Sequence, residues 1–372
     1  MAHLLSDTPL PQSPPRVSTL FLTVSTNAYR GRIAPSPTGY LHIGHAHTFH
    51  RAWQRAREGR GVLVLRMEDL DADRSQPEYA QAALEDLRWL NIDWDEGPDL
   101  GGPYAPYDQS QRAGMHRSAW EKLREGGFIY PCRCSRKDLA AALSAPHEDT
   151  SNPGVRGNEL EDEPVYPGTC RPSRTGDGIL DLSLSPEFAD GPGGLNWRFR
   201  VPDGELIEFN DANLGPQRFI AGIDFGDFLV WRREGPGSPR TGPRSWGGGQ
   251  GSPRTAPRSW GGDPGSPQTN PHPWGSGSPS YQLACVADDF AMRITEVVRG
   301  ADLLKSTARQ ILLNRALGYR DPNWFHCDLI VDEQGRRLAK RHDALSIREL
   351  RRRGMSPADI FRAYLSPEPP HR

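Results

Sequence analysis

Regular patterning begins near Tyr29, where apolar residues start to recur at structured spacings. Residues 31–35 read as a short strand, and Ser36-Pro37-Thr38-Gly39 as a turn. Over 42–58, Ile43, Ala46, Phe49, Ala52, Trp53 and Ala56 fall near a helical period, and Gly59 marks the stop. Residues 62–67 are a continuous apolar run, the pattern of a parallel strand buried on both faces. A second helix follows. Its start carries a capping-box pair, Ser75 and Glu78, with Pro77 in the first turn, and its apolar face is Ala80, Ala83, Leu84, Leu87 and Leu90. Strand, helix, strand, helix predicts the opening of a doubly wound α/β domain. Further along, 228–233 and 281–286 read as two more strands, and 346–365 as one or two helices.

Two segments interrupt the pattern. Residues 144–164 are polar and rich in Pro, Gly, Glu and Asp, and read as a loop. Residues 235–279 repeat with a period of 14, GSPRTGPRSWGGGQ followed by two degenerate copies marked by Trp260 and Trp274. So few aliphatic residues cannot offset the entropy of ordering, so the insert is expected to be a disordered loop replacing a hairpin turn between the flanking strands. Arg240, Arg244, Arg254 and Arg258 near the tryptophans could stack on RNA, but a passive solvated loop is the simpler expectation.

Composition narrows the class. A net charge of −2 argues against a broadly basic nucleic-acid coat. No run approaches ~20 apolar residues, so no membrane helix is expected. Residues 1–28 lack a basic leader with a long apolar run and read as a disordered tail, which points to a cytoplasmic protein. Three of the five cysteines, Cys132, Cys134 and Cys170, group around one segment, which suits metal binding in a reducing compartment better than disulfides. With Tyr166, they offer three thiolates and a phenolate for a tetrahedral zinc site. His147 is the alternative fourth ligand.

The strongest chemical signal is the run R-I-A-P-S-P-T-G-Y-L-H-I-G-H from Arg32 to His45. A strand ends, a Pro/Gly turn follows, and a helix opens at two histidines. Its N-terminus presents free N–H groups and partial positive charge to a phosphate. Gly44 admits a nucleotide close to the backbone, and His42 and His45 can donate to phosphate oxygens.

This run resembles the ATP-binding signature of the class I aminoacyl-tRNA synthetases of the glutamyl/glutaminyl group. Other segments resemble that group in order: Arg66 to Asp71 with its R-x-E-D-x-D, Tyr107 to Arg112 with its Y-x-Q-S-Q-R, and the stretches at Tyr281 and at Val298 to Leu304 with its glutamate pocket. The resemblance covers about residues 29–350 without the repeats. It implies a doubly wound, Rossmann-like catalytic domain (29–131, then 171–234 and 280–350) and a glutamate site formed by Arg32, Ile33, Ala34, Pro35, Ser36, Glu68, Tyr281 and Arg299. It further implies an ATP site at His42, Gly44, His45 and Lys340, with Mg2+ on the ATP. Lys340 lies in Arg337-Leu-Ala-Lys340-Arg341, where the group has K-M-S-K-S. Only the lysine is kept, so Lys340 is the expected catalytic cation.

Within the group, the glutamyl-Q tRNA(Asp) synthetases have C-x-C and Y-x-x-x-C where this chain has Cys132, Cys134, Tyr166 and Cys170. The resemblance therefore implies a small structural zinc insert at 132–170. Only 32 residues follow Lys340, fewer than the ~50 of a folded domain, so an anticodon-binding region is not expected and 351–372 reads as a short helix and tail. The function implied is activation of L-glutamate with ATP and transfer to queuosine in tRNA(Asp). A truncated glutamyl-tRNA synthetase charging the tRNA 3′ end is the alternative.

Overall fold

The computed structural model describes residues 28–135, 165–172, 194–233, 277–331 and 346–365, with Asp138 and Pro192. The expectations for 1–27, 144–164, most of the repeats and Lys340 lie outside these residues. In chain order the strands are β1 (Arg30–Ile33), β2 (Val62–Leu65), β3 (Ile129–Cys132), β4 (Asn196–Phe199), β5 (Leu206–Asp211), β6 (Gly215–Ile220), β7 (Phe228–Arg232), β8 (Ser278–Pro279), β9 (Glu296–Gly300) and β10 (Asn323–Cys327). The principal helices are α1 (Ile43–Glu58), α2 (Pro77–Trp89), α3 (Ala113–Glu125), α4 (Tyr281–Ala291), α5 (Leu304–Leu317), α6 (Ile347–Arg352) and α7 (Pro357–Ile360).

The first helix is as expected, with His42 as N-cap and Gly59 as C-cap. Two local expectations are corrected. The Ser75–Glu78 capping box does not form: Pro77 occupies the first helical position, so Gln76 is the N-cap, and it caps with no side-chain bond. Ser75 is buried instead, and Glu78 accepts from the Tyr40 hydroxyl. Residues 281–286 are not a strand but the start of α4, capped by Ser280, whose Oγ accepts from Leu283 N–H at 3.4 Å. Leu283, Ala284, Val286 and Ala287 are all buried, and a helix buried all round shows the same unbroken apolar run as a core strand. The hairpin reading of the flanks holds in a shorter form: β8 pairs antiparallel with β7, Pro279 opposite Trp231.

The framework is mixed α/β. β1 pairs parallel with β2, and β10 pairs parallel with both β9 and β5, while β6 closes an edge antiparallel to β5. Thr295 N–H donates to Arg30 C=O at 2.8 Å, bringing the start of β9 beside β1. Successive strand residues enter different cores. Ile33, Leu63, Leu65, Val298 and Phe325 pack with Ile43 and Ala46 of α1. Val64, Val297 and Trp324 pack with Trp120 of α3 and Ile311 of α5. The parallel strands are therefore covered on both faces, which is why 62–65 is uniformly apolar. Of the antiparallel sheet β3-β4-β7-β8, sequence patterning shows only the β7 hairpin edge and not β3 or β4; β3 holds the first zinc-candidate cysteine, Cys132, opposite Asn196. No described helix is long and apolar enough to cross a membrane.

Candidate active site

A cavity of about 480 Å³ opens at the C-terminal ends of β1 and β9, the edge where parallel α/β sheets bind ligands. Arg32, Ala34 and Ser36 reach it from β1 and the turn that follows, and Glu68 from the segment after β2. His42, Gly44 and His45 line it from the start of α1, Tyr281 from α4, and Arg299 from β9. Two expected members stand apart. Ile33 is fully buried in the core, and Pro35 contributes a carbonyl that accepts from Glu68 N–H at 2.9 Å.

Polar side chains behind the cavity hold its charges in place. Arg32 is 4% exposed; its Nη1 donates to Val298 C=O at 3.1 Å and its Nε lies 3.4 Å from Asp289. Glu68 accepts from Arg66 at 3.0 Å, with the Cys285 thiol 3.4 Å from the same oxygen. Arg66, fully buried, also donates to Asp289 at 2.6 Å. Arg299 donates from Nη1 to Gln310, from Nη2 to Thr307 and from Nε to His326. Burial pushes the Tyr281 phenol above its usual range, keeping it protonated as a hydrogen-bond donor.

The two histidines cap α1 with their own rings. His42 Nδ1 accepts from Gly44 N–H at 3.1 Å, and His45 Nδ1 accepts from His42 N–H at 3.2 Å. Burial, with His42 alongside, pushes His45 down to about 3, so its ring is neutral in ordinary buffers. With both Nδ1 atoms accepting, each proton sits on Nε2, and both rings offer N–H donors at the helix tip. Residues 332–345, which contain Lys340, lie outside the described residues. The segments on either side reach the site: Leu329 and Ile330 line the cavity, and Ser346 bridges His42 in the backbone.

Sequence reasoning missed the supporting charges. Asp288 and Asp289 on α4 tie together three distant motifs. Asp288 takes Arg112 at 2.6 Å, His116 at 3.1 Å and Gln109 at 2.9 Å, all buried. Its neighbour Asp289 takes Arg66 and Arg32. An adjacent acid pair inside an apolar run was the available signal, since carboxylates are buried only when paired.

At the other end of the antiparallel sheet, the Sγ atoms of Cys132, Cys134 and Cys170 all lie within 4.8 Å of one another and could hold a metal ion. The Tyr166 hydroxyl is 3.5 Å from Cys132 Sγ and 3.6 Å from Cys134 Sγ. Zinc with ~2.3 Å bonds to sulfur places tetrahedral sulfurs ~3.8 Å apart, close to this spacing. The buried Arg198 supplies positive charge beside the cluster: its Nε donates to Cys132 Sγ at 3.4 Å and its guanidinium lies 3.9 Å from the Tyr166 ring centroid. The residues thus fit a thiolate-bound cation, and they include all four that the sequence singled out.

The family model for tRNA synthetases class I (E and Q), catalytic domain, matches residues 28–157 and 274–366. The chain is 41% identical over 351 residues to glutamyl-Q tRNA(Asp) synthetase of Symbiobacterium thermophilum, covering 91% of this chain and 88% of that protein. It is 40% identical over 331 residues to glutamyl-Q tRNA(Asp) synthetase of Nitratidesulfovibrio vulgaris, covering 89% and 83%. Its fold is shared with the crystal structure of glutamate-tRNA synthetase from Elizabethkingia anophelis (TM-score 0.60, 24% identity), over 88% of this chain and 54% of that one. A signature helix capped by paired imidazoles, an arginine-lined cavity at the strand ends and these matches converge: the chain belongs to the class I tRNA synthetases of the E and Q family, a family of ligases.

Proposed function

We propose that the chain activates L-glutamate with ATP and then esterifies it to the queuosine of tRNA(Asp). The observation that carries the first half is the cavity itself, in which two buried arginines and a carboxylate face a helix tip bearing two imidazole donors. Glu68 meets the α-ammonium, while Arg32 and Arg299 provide guanidinium forks for carboxylate oxygens. The Nε2–H groups of His42 and His45 and the N-terminus of α1 meet the triphosphate. Held this way, an α-carboxylate oxygen attacks the α-phosphorus. The new O–P bond forms as the bond to the β-phosphate bridging oxygen breaks, and pyrophosphate departs. Lys340 would neutralise charge on the leaving pyrophosphate, and Mg2+ would accompany ATP as a further counter-charge. A hydroxyl of the cyclopentene diol of queuosine then attacks the acyl carbon: the ester C–O bond forms, the hydroxyl proton is released, and the acyl–phosphate bond breaks to expel AMP. The extended similarity to two glutamyl-Q tRNA(Asp) synthetases supports queuosine as acceptor.

Exchange of labelled pyrophosphate into ATP tests activation. Glutamate is expected to support exchange without any RNA, and glutamine is expected to fail, because its amide leaves a buried guanidinium uncompensated. Folded protein inactive with glutamate would overturn the assignment. Transfer is expected to require queuosine in tRNA(Asp), whereas equal charging of queuosine-free tRNA(Glu) would favour the alternative of 3′-end aminoacylation.

The cysteine cluster is assigned to structural zinc, with Cys132, Cys134, Cys170 and Tyr166 as a closed ligand set. Elemental analysis is expected to find about one zinc per chain, lost in Cys134→Ser and more weakly retained in Tyr166→Phe. Equal zinc content in the wild type and Cys134→Ser would refute the site.

A further inference from the structure

Arg299 is gripped from behind by residues that none of the recognised motifs contains. On the paired strands β9 and β10, His326 stands directly opposite Arg299. Asp211, at the end of β5, lies 2.6 Å from His326 Nδ1 and also accepts from the His326 backbone N–H. All three side chains are buried.

We propose that the Asp211–His326 pair is a positioning device that sets the orientation of the Arg299 guanidinium for a carboxylate, and so selects glutamate over glutamine. The inference rests on the glutamate reading above. Asp211 fixes the proton on Nδ1, leaving the Nε2 lone pair to accept Arg299 Nε–H at 3.2 Å. Thr307 accepts from Nη2 at 2.6 Å and sits 2.9 Å from His326 Nε2, toward which its hydroxyl can donate a hydrogen bond. Gln310 accepts from Nη1 at 2.9 Å. A guanidinium has five N–H groups, and these contacts engage one on each nitrogen. What remains is one N–H on each terminal nitrogen, two donors for the two oxygens of a carboxylate. An amide brings one oxygen and one NH2, so one donor would face another donor. Burial, and after it the charge of Arg299, push His326 down to about 4, which keeps the acceptor lone pair available in neutral buffer.

A purely structural role predicts something different from a positioning role. Asp211 also accepts from Asn213 and Leu214 N–H in the β5–β6 turn, so stability alone would fall if that were its whole purpose. The test uses the full chain in glutamate-dependent pyrophosphate exchange, with KM for glutamate and for ATP measured separately. His326→Leu is expected to raise KM for glutamate ~10-fold or more, while KM for ATP stays within about twofold, as loss of a hydrogen bond to a charged group implies. Asp211→Asn is expected to do the same, because an amide NH2 facing Nδ1 drives the proton to Nε2 and sets donor against donor. His326→Gln, whose amide oxygen can occupy the Nε2 position, is expected to recover most of the loss. If His326→Leu fails to fold, His326→Gln is compared with His326→Asn, whose shorter amide stops near Nδ1 and should remain impaired. Unchanged KM for glutamate, parallel rises in both KM values, or no advantage of Gln over Asn would overturn the proposal. Wild-type protein without glutamate-dependent exchange would instead sink the parent reading, so the two failures are separable.

Discussion

Arg299→Leu is expected to lower kcat/KM for glutamate in pyrophosphate exchange by roughly a hundred- to a thousandfold, the consequence of removing one partner from a buried charge pair. The side chain is 5% exposed and is held by Gln310, Thr307 and His326, all neutral acceptors toward it, while Arg32, the other guanidinium of the cavity, is tied to Val298 C=O and Asp289. The bound carboxylate would therefore lose one of its two guanidinium counter-charges at a buried position. Arg299→Lys is expected to recover only part of the loss, because an ammonium cannot reproduce the fork that three protein acceptors already orient. KM for ATP is expected to stay close to that of the wild type, since the triphosphate faces the histidine-capped end of α1. A thermal unfolding scan on the same variants separates binding from stability. If Arg299→Leu retained glutamate exchange within about threefold of the wild type, the carboxylate site would have to be elsewhere.

The parts of this site that sequence made visible are those encoded locally. The turn after β1 is a run of Pro and Gly whose backbone preferences act over a few residues, and the histidines that follow occupy a helix N-cap, also a local device. The cysteines announced themselves because their chemistry has few other uses at that spacing. What stayed hidden is built from long-range pairs. Asp288 is 176 residues from Arg112, and His326 is 115 from Asp211. No periodicity carries such a pairing; only the fold brings the charges together. Tyr281 shows the intermediate case. Tyr281 does line the cavity, yet the run 281–286 that begins with it reads as a strand in sequence, because burial on nearly every side erases the helical period that distinguishes the two. Ser280, a good N-cap directly before the run, was the overlooked clue.

Asp288→Ala is expected to destabilise the fold by ~3–5 kcal/mol, the range for stripping one partner from a buried ion pair. Since small domains are stable by only ~5–15 kcal/mol, a large share of the folded state's margin depends on this carboxylate. The reason lies in its neighbours. Arg112 would keep its contacts to the Tyr104 and Pro106 carbonyls but lose its counter-charge, and His116 and Gln109 would lose an acceptor inside the same buried cluster. The pH dependence provides an independent check. Burial alone would raise the Asp288 pKa, but His116, Arg66 and Arg112 outweigh it and hold the carboxyl below the usual range. A depressed folded-state pKa means the contribution is fully present above the unfolded value of ~3.9 and is lost as pH falls below it. The urea midpoint of the wild type should therefore decline on acidification below about pH 4, and Asp288→Ala should lack that part of the decline while being less stable at neutrality. Because α4 also carries Tyr281 and Asp289, the variant that still folds should bind glutamate more weakly than its residual stability alone would suggest. Neutral-pH midpoints that coincide for wild type and variant would show that Arg112 and His116 find other partners and that α4 is held by its apolar packing instead.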